Sequence, residues 1–139
     1  MREVYLDDPN VGELEKEYLI KAVESNYLST AGPFVPEFER RFASYLQAGY
    51  CVATQSGTAA LHIALYELGI KPGDEVIVPA LTFVATVNPV FYVGATPVFV
   101  DVDSITWNMD PEKIEEAITP RTRAIIPVHL YGNPCNMEE

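Results

Sequence analysis

Three short segments in the second half of the sequence, residues 75–79, 96–102 and 123–130, are mostly apolar and alternate with segments of helical character. Nearly continuous apolar runs are typical of strands that are buried on both faces of a parallel sheet. Parallel neighbours need a crossover connection, which is usually a helix. The order of segments therefore predicts an α/β fold: a mainly parallel sheet with helices on both of its faces.

Helical periodicity and capping residues predict five helices and one further strand. The helices are expected at residues 11–26, 34–47, 58–68, 82–93 and 110–118, and the strand at residues 50–54. Thr82 and Asp110 stand at expected N-caps, and Pro111 follows in the first turn, where proline is tolerated. Pro89 lacks an N–H group and should bend the fourth helix or end it early. Apolar side chains are spaced for one face of each of the first two helices: Leu14, Tyr18 and Val23 in the first, and Phe38, Phe42 and Tyr45 or Leu46 on the expected buried side of the second.

Length and charge limit the classes of partner. The 139 residues suffice for one domain with one core, and the net charge is −11. A broad nucleic-acid surface needs clustered Lys and Arg, and an anionic membrane repels an acidic protein, so neither partner is expected. No apolar run, at the N-terminus or elsewhere, is long enough for a signal peptide or a membrane span, which favours the cytoplasm. In that reducing compartment Cys51 and Cys135 are expected to be free thiols.

The segment Ser56-Gly57-Thr58 joins the predicted strand at residues 50–54 to a helix. Its small residues would let backbone N–H groups approach a ligand, and the free N–H groups and dipole of a helix N-terminus favour a phosphate. The hydroxyl groups of Ser56 and Thr58 would add hydrogen-bond donors. The alternative is a small-residue N-cap that binds no ligand.

Other candidate residues follow predicted strands, where ligands of open α/β sheets gather. Phe83 either stacks on a flat cofactor ring or packs in the core, and His129 is a candidate for the substrate side. Asp101 and Asp103 either hold Mg²⁺ on a nucleotide sugar, as in many glycosyltransferases, or cap a turn. His62 is expected on a helix surface or in the core, and no spacing pairs the two histidines around zinc.

Four runs in this order, residues 55–65, 69–77, 81–86 and 125–132, resemble the DegT/DnrJ/EryC1/StrS family of sugar aminotransferases, and residues 107–114 are similar to perosamine synthases. The resemblance implies the large domain of a fold-type-I transferase that depends on pyridoxal 5'-phosphate (PLP), acting as a homodimer. It also implies an N-terminal helix and substrate-side loop at residues 1–33 and the first part of the PLP-binding domain at 34–139. The cofactor-binding positions it implies are Ser56, Gly57 and Thr58 at the phosphate and Phe83 on the ring; the substrate-side positions are Thr30, Gly32 and His129.

The catalytic residues of this family are expected outside the sequence. The resemblance places the Schiff-base lysine, and the Asp that pairs with the pyridine nitrogen, beyond Glu139. Residues 136–139 also have the pattern of a helix start. We therefore expect a longer parent protein, and no transaminase activity from the 139-residue chain alone.

The function expected for the parent is transfer of an amino group, from glutamate, to a keto carbon of a nucleotide-linked deoxysugar. Two other interpretations stay open from the residues alone. One is a GT-A-like, metal-dependent glycosyltransferase that uses Asp101 and Asp103. The other is a non-enzymatic fragment that dimerises or folds with a partner. A dinucleotide-dependent dehydrogenase is disfavoured because no G-x-G-x-x-G follows a strand.

Overall fold

The computed structural model of the protein describes residues 9–139, and these form two compact units whose boundary lies between Ala53 and Thr54. The domain limits expected from the resemblance, with a boundary after residue 33, stay a prediction. The prediction that the N-terminus carries no signal peptide falls largely on residues outside the described range. No helix of residues 9–139 is long and apolar enough to cross a membrane.

The first unit contains two helices, α1 (Glu13–Glu24) and α2 (Phe34–Tyr45). Both predicted helices are confirmed, but the burial expected for one face of α2 is wrong. Phe38 and Phe42 stack on each other at 5.6 Å between ring centroids and both stay exposed, while Ala43 is the buried residue of α2. The strand predicted at residues 50–54 is also wrong: the chain there is irregular.

The second unit is built on a parallel three-stranded sheet in the order β2-β1-β3. Its strands are β1 (Glu75–Pro79), β2 (Thr96–Val100) and β3 (Thr122–Ile125). Three helices complete it: α3 (Gly57–Glu67), α4 (Asn88–Tyr92) and α5 (Pro111–Ala117). The tight turn Lys71–Asp74, with Gly73 at a φ of 95°, leads from α3 into β1.

The central strand β1 is buried along its whole length and separates two apolar clusters. Val76 and Val78 pack with Leu65 of α3 and Val90 of α4. Ile77 points to the other face because side chains alternate along a strand, and there it packs with Met109 and the partly buried Ile114 and Ala117 of α5. Helices therefore cover both faces of the sheet, as predicted.

The two outer strands are shorter and less buried than their sequences suggested. β2 ends at Val100 rather than 102 and exposes Phe99, and β3 ends at Ile125 rather than 130. Among the described strands only β1 has a neighbour on each side. Apolar runs in β2 and β3 were interpreted as fully buried strands, but their outer positions leave part of each run in contact with solvent.

Pro89 divides the helix that was predicted at residues 82–93. A 3₁₀ turn, Val84–Thr86, is followed by the short α4, with Pro89 in its first turn, where the missing N–H group costs little. The predicted cap at Thr82 is wrong. Its hydroxyl hydrogen-bonds the Thr86 hydroxyl at 2.8 Å, and Phe83 occupies the N-cap of the 3₁₀ turn.

Three further helix boundaries follow sequence signals closely. Asp110 caps α5 by accepting a hydrogen bond from the Glu112 N–H at 3.0 Å, with Pro111 as the first helical residue. Gly69 and Gly94 follow α3 and α4 with φ angles of 74° and 76°, which only glycine adopts freely. Residues 136–139 have the sequence pattern of a helix start, but they form no helix in the structure.

The carboxylate of Glu75 ties the start of β1 to the segment that enters β3. It accepts hydrogen bonds from the Thr119 hydroxyl and from Nε and Nη2 of Arg121, the Nε bond at 2.9 Å. The Thr119 hydroxyl, and then the Arg121 guanidinium, lower the pKa of Glu75 below its ordinary value. The ionised form is therefore favoured by folding.

A lowered carboxyl pKa in the folded state makes stability depend on acid. Its contribution is complete above the pKa of the unfolded chain and is lost as the pH falls through the lower folded value. We expect the free energy of unfolding to fall less steeply below about pH 4.5 in Glu75→Gln than in the wild type, with Arg121→Gln in between. Denaturant titrations at several pH values measure the slopes; equal slopes in all three proteins would refute the assignment.

Because Ile77 lies at the centre of the core, its substitution should lower stability far more than substitution of an exposed isoleucine. Ile77 is 0% exposed and Ile105 is 89% exposed. Replacing Ile77 by Ala should lower the free energy of unfolding by about 2–5 kcal/mol, whereas Ile105→Ala should change it by less than about 0.5 kcal/mol. Urea denaturation of both variants gives the comparison. A similar small change in both would mean that β1 is not the centre of the core.

Candidate cofactor site

The candidate residues of the second unit are brought to one edge of the sheet by its topology. Because the three strands are parallel, the residues after β1, β2 and β3 emerge at the same edge. The helix α3 enters β1 through a tight turn, so its N-terminus lies at the edge where β1 ends. The contact of α3 with the 3₁₀ turn that follows β1 agrees with this placement.

The N-terminus of α3 has both an internal cap and free donors. The Ser56 hydroxyl accepts a hydrogen bond from the Ala59 N–H at 3.2 Å, and the Ser56 carbonyl accepts one from the Ala60 N–H at 3.1 Å. The N–H groups of Gly57 and Thr58 have no acceptor among the described residues. Ser56 is therefore the N-cap of α3, and this cap leaves two adjacent amides unpaired among the described residues.

Space is available beside these amides. A Cβ atom added to Gly57 would meet no heavy atom within 4 Å, and Gly57 is exposed. Thr58 is half-buried, and its hydroxyl has no hydrogen-bond partner among the described residues. Free amides, a free hydroxyl and the positive end of the α3 dipole together suit a phosphate.

Phe83 lies on the surface beyond the end of β1. Its side chain is 75% exposed and belongs to neither apolar cluster. The backbone there is extended, with φ −71° and ψ 141°, just before the 3₁₀ turn that contacts α3. The alternative of a core Phe is therefore wrong for this chain, and an aromatic face is available for stacking.

His129 lies in the segment after β3, residues 126–135, which we call the β3 loop. Its side chain is exposed, and its Nδ1 accepts a hydrogen bond from the Cys135 N–H at 2.9 Å. Cys135 also donates from Sγ to the Val128 carbonyl at 3.2 Å, and both cysteines are free, as predicted.

His62 is half-buried and packs edge-on against Tyr92 at 5.4 Å, which agrees with its structural interpretation.

The two aspartates after β2 act within a turn. Asp103 Oδ1 accepts hydrogen bonds from the Ile105 N–H, the Thr106 N–H and the Thr106 hydroxyl at 3.1, 2.7 and 2.9 Å. The N–H and then the hydroxyl of Thr106 lower the pKa of Asp103. Asp101 accepts from the Val102 N–H. These hydrogen bonds confirm the turn interpretation, and no group of three metal-ligating side chains forms in residues 9–139.

The candidates Thr30 and Gly32 lie in the first unit, between α1 and α2. Gly32 has a φ of 110°, and a Cβ there would lie 2.6 Å from Tyr27. This local conformation explains why a glycine stands there without any ligand. Thr30 is exposed. Contact of either residue with substrate stays a prediction.

Sequence reasoning missed Asn108. It is 5% exposed and hydrogen-bonds the β3 loop. In the sequence it appeared only within a run shared with perosamine synthases. A polar residue between the large side chains Trp107 and Met109 was the available signal, but neither helical nor strand periodicity applies to a turn.

The comparison with known protein families agrees with this arrangement. Residues 9–139 match the DegT/DnrJ/EryC1/StrS aminotransferase family. The chain belongs to this family. It is 49% identical over 130 residues to GDP-perosamine synthase of Caulobacter vibrioides, covering 94% of this chain and 35% of that protein. It is 54% identical over 107 residues to UDP-2-acetamido-2-deoxy-3-oxo-D-glucuronate aminotransferase of Pseudomonas aeruginosa, covering 77% of this chain and 30% of that protein.

Solved structures confirm the fold class. An aminotransferase from Psychrobacter cryohalolentis superposes with a TM-score of 0.86 at 40% identity, over 94% of this chain and 33% of that one. NtdA from Bacillus subtilis, with bound cofactor PMP, gives 0.84 at 44% identity, over 92% and 30%. The predicted fold, the N-terminal part of the large domain of a fold-type-I PLP-dependent transferase, is thus confirmed. The chain spans about a third of the length of the curated relatives that it matches.

Proposed function

We propose that the protein to which this chain belongs is a PLP-dependent aminotransferase that moves an amino group, from glutamate, to a keto carbon of a nucleotide-linked deoxysugar. The observation that carries the proposal is the pair of free amides at Gly57 and Thr58 on the edge of the sheet where the exposed Phe83 lies. Membership of a sugar aminotransferase family supplies the reaction class.

The residues present fit the phosphate of this cofactor. The Gly57 and Thr58 N–H groups and the Thr58 hydroxyl would donate to its oxygens, and the α3 dipole favours its charge. The Ser56 hydroxyl, although it accepts from Ala59, keeps its own proton and is a further donor. The open space beside Gly57 leaves room for the anion.

Phe83 suits the pyridine ring. Its exposed face would stack on the flat heterocycle and orient it, a contact that needs no hydrogen bond. When bound, the cofactor supplies an electron sink for the carbon that gains or loses the amino group. The contribution of this chain is therefore to anchor and orient the cofactor.

The substrate class rests on the relatives. Two of them are named for GDP-linked and UDP-linked sugars, and a third, of Bacillus subtilis, is named 3-oxo-glucose-6-phosphate:glutamate aminotransferase. We assign His129, Thr30 and Gly32 to the substrate side, and we expect a cytoplasmic homodimer with active sites at the subunit interface. The metal-dependent glycosyltransferase has no support, because Asp101 and Asp103 accept hydrogen bonds within their own turn.

Three of the four lysines of the chain pair with glutamates of their own helices, at Lys16–Glu13, Lys21–Glu17 and Lys113–Glu116. Lys71 lies in the turn before β1, at the edge opposite to Phe83. A transaminase needs an amine at the cofactor, so we infer that residues 1–139 alone do not catalyse amino transfer.

Substitution of Gly57 separates ligand binding from folding. Gly57→Ala should change the free energy of unfolding by less than about 1 kcal/mol, since nothing occupies the space of the added methyl group. In the full-length protein it should raise the Kd for PLP by about tenfold or more, which corresponds to about 1.4 kcal/mol, because the methyl group keeps the phosphate from the amides. Absorbance titration with PLP measures the Kd. Gly49→Ala, in equally open space, is the matched control, and an unchanged Kd in Gly57→Ala would contradict the proposed phosphate site.

A further inference from the structure

A buried amide side chain joins the turn after β2 to the β3 loop. Asn108 Nδ2 donates to the carbonyl oxygens of Asn133 at 3.2 Å and Pro134 at 2.9 Å, and its Oδ1 accepts from the Leu130 N–H at 3.4 Å. Asn133 returns the connection, donating from Nδ2 to the Thr106 carbonyl at 3.0 Å. These four hydrogen bonds make one clasp between two segments more than twenty residues apart, and we call it the Asn108 clasp.

The clasp holds backbone conformations that side-chain-bearing residues adopt at a cost. Trp107 has a φ of 62° and Tyr131 a φ of 52°, and the two rings pack edge-to-face at 6.5 Å between centroids. Bulky residues in the left-handed region are uncommon, and such conformations persist only where the surrounding structure enforces them. Because Trp107 adjoins Asn108 and Tyr131 lies within the clasped loop, the clasp accounts for both.

The same loop sets the orientation of the His129 ring. Its Nδ1 accepts the Cys135 N–H bond at 2.9 Å, so in this arrangement the ring proton is on Nε2. The side chain is exposed, and it follows β3 at the edge where Phe83 and the α3 amides lie. His129 therefore offers an Nε2–H donor on the ligand side of the sheet.

We propose that Asn108 is a positioning residue: through the β3 loop it holds His129 with Nε2–H directed to an acceptor oxygen of a bound ligand. This inference rests on the proposed function, which supplies ligands with such oxygens in the cofactor and in the keto sugar. Asn108 itself touches neither ligand; it acts by keeping the Leu130–Pro134 backbone in the one conformation that lets Cys135 orient the ring.

The first test needs no ligand. In full-length protein labelled with ¹⁵N-histidine, the Nδ1 resonance of His129 should report an unprotonated acceptor in the wild type and a mixture of the two tautomers in Asn108→Ala. Asn136→Ala, an exposed asparagine just beyond the clasp, is the control and should keep the wild-type signal. An unchanged His129 signal in a folded Asn108→Ala protein would overturn the proposal. If that variant does not fold, Asn108→Asp takes its place with the same expected result, since it keeps the size of the side chain and the acceptor for the Leu130 N–H but loses both bonds donated to the Asn133 and Pro134 carbonyls.

The second test is a double-mutant cycle on amino transfer. His129→Asn keeps an acceptor for the Cys135 N–H but removes the distal donor, and Asn108→Ala disorders the ring. Each should lower kcat/KM by about tenfold to a hundredfold, and the double variant should lose no more than His129→Asn alone. Additive losses would show a general structural role for Asn108 and contradict the proposal.

Two readouts of the cycle distinguish its possible ligands. A raised Kd for PLP identifies a cofactor oxygen as the acceptor, whereas a raised KM for the keto sugar with unchanged PLP affinity identifies the substrate. If the wild type transfers no amino group to any nucleotide-linked keto sugar, the proposed function fails, and the role of His129 fails with it. Normal turnover with additive losses contradicts only the positioning role of Asn108.

Discussion

The burial of β1 on both faces is the constraint on which the second unit depends. Val76 and Val78 pack against α3 and α4 on one face of the sheet, and Ile77 packs against α5 on the other face. Both neighbours of β1 are parallel to it, and parallel neighbours need crossover connections, which here contain α4 and α5. The burial of β1 fixes the packing of the helices on the sheet. The parallel order of the strands has a functional consequence, because every strand of the sheet ends at the same edge, beside the N-terminus of α3.

The edge of the sheet beside the N-terminus of α3 carries two unpaired amides and an exposed aromatic ring. Capping by Ser56 satisfies one amide of the first turn and leaves those of Gly57 and Thr58 without acceptors in residues 9–139. Phe83 has no place in either apolar cluster and keeps its ring exposed. The unpaired amides suit the phosphate of a phosphorylated flat cofactor, and the exposed aromatic face suits its ring. The chain belongs to an aminotransferase family, whose reaction uses a cofactor of this kind, and the proposal therefore concerns this edge of the sheet.

Much of this could be predicted because it depends on local signals. The limits of β1, the break at Pro89 and the cap at Asp110 follow from apolar burial, a missing N–H group and a short acceptor side chain. Features that depend on distant partners could not be predicted. The ends of β2 and β3 depend on strand order, and the Asn108 clasp depends on a loop twenty residues away. The exposure of Phe38 likewise depends on what surrounds α2 rather than on its own periodicity.

The central claim is that the free amides of α3 hold a phosphate while Phe83 covers the ring attached to it. A crystal structure of the full-length protein with PLP tests it most directly. The account predicts phosphate oxygens about 2.7–3.2 Å from the backbone nitrogens of Gly57 and Thr58, with the Phe83 ring stacked on the pyridine ring. A cofactor bound at another edge of the sheet, or a Phe83 ring buried away from it, would contradict the account.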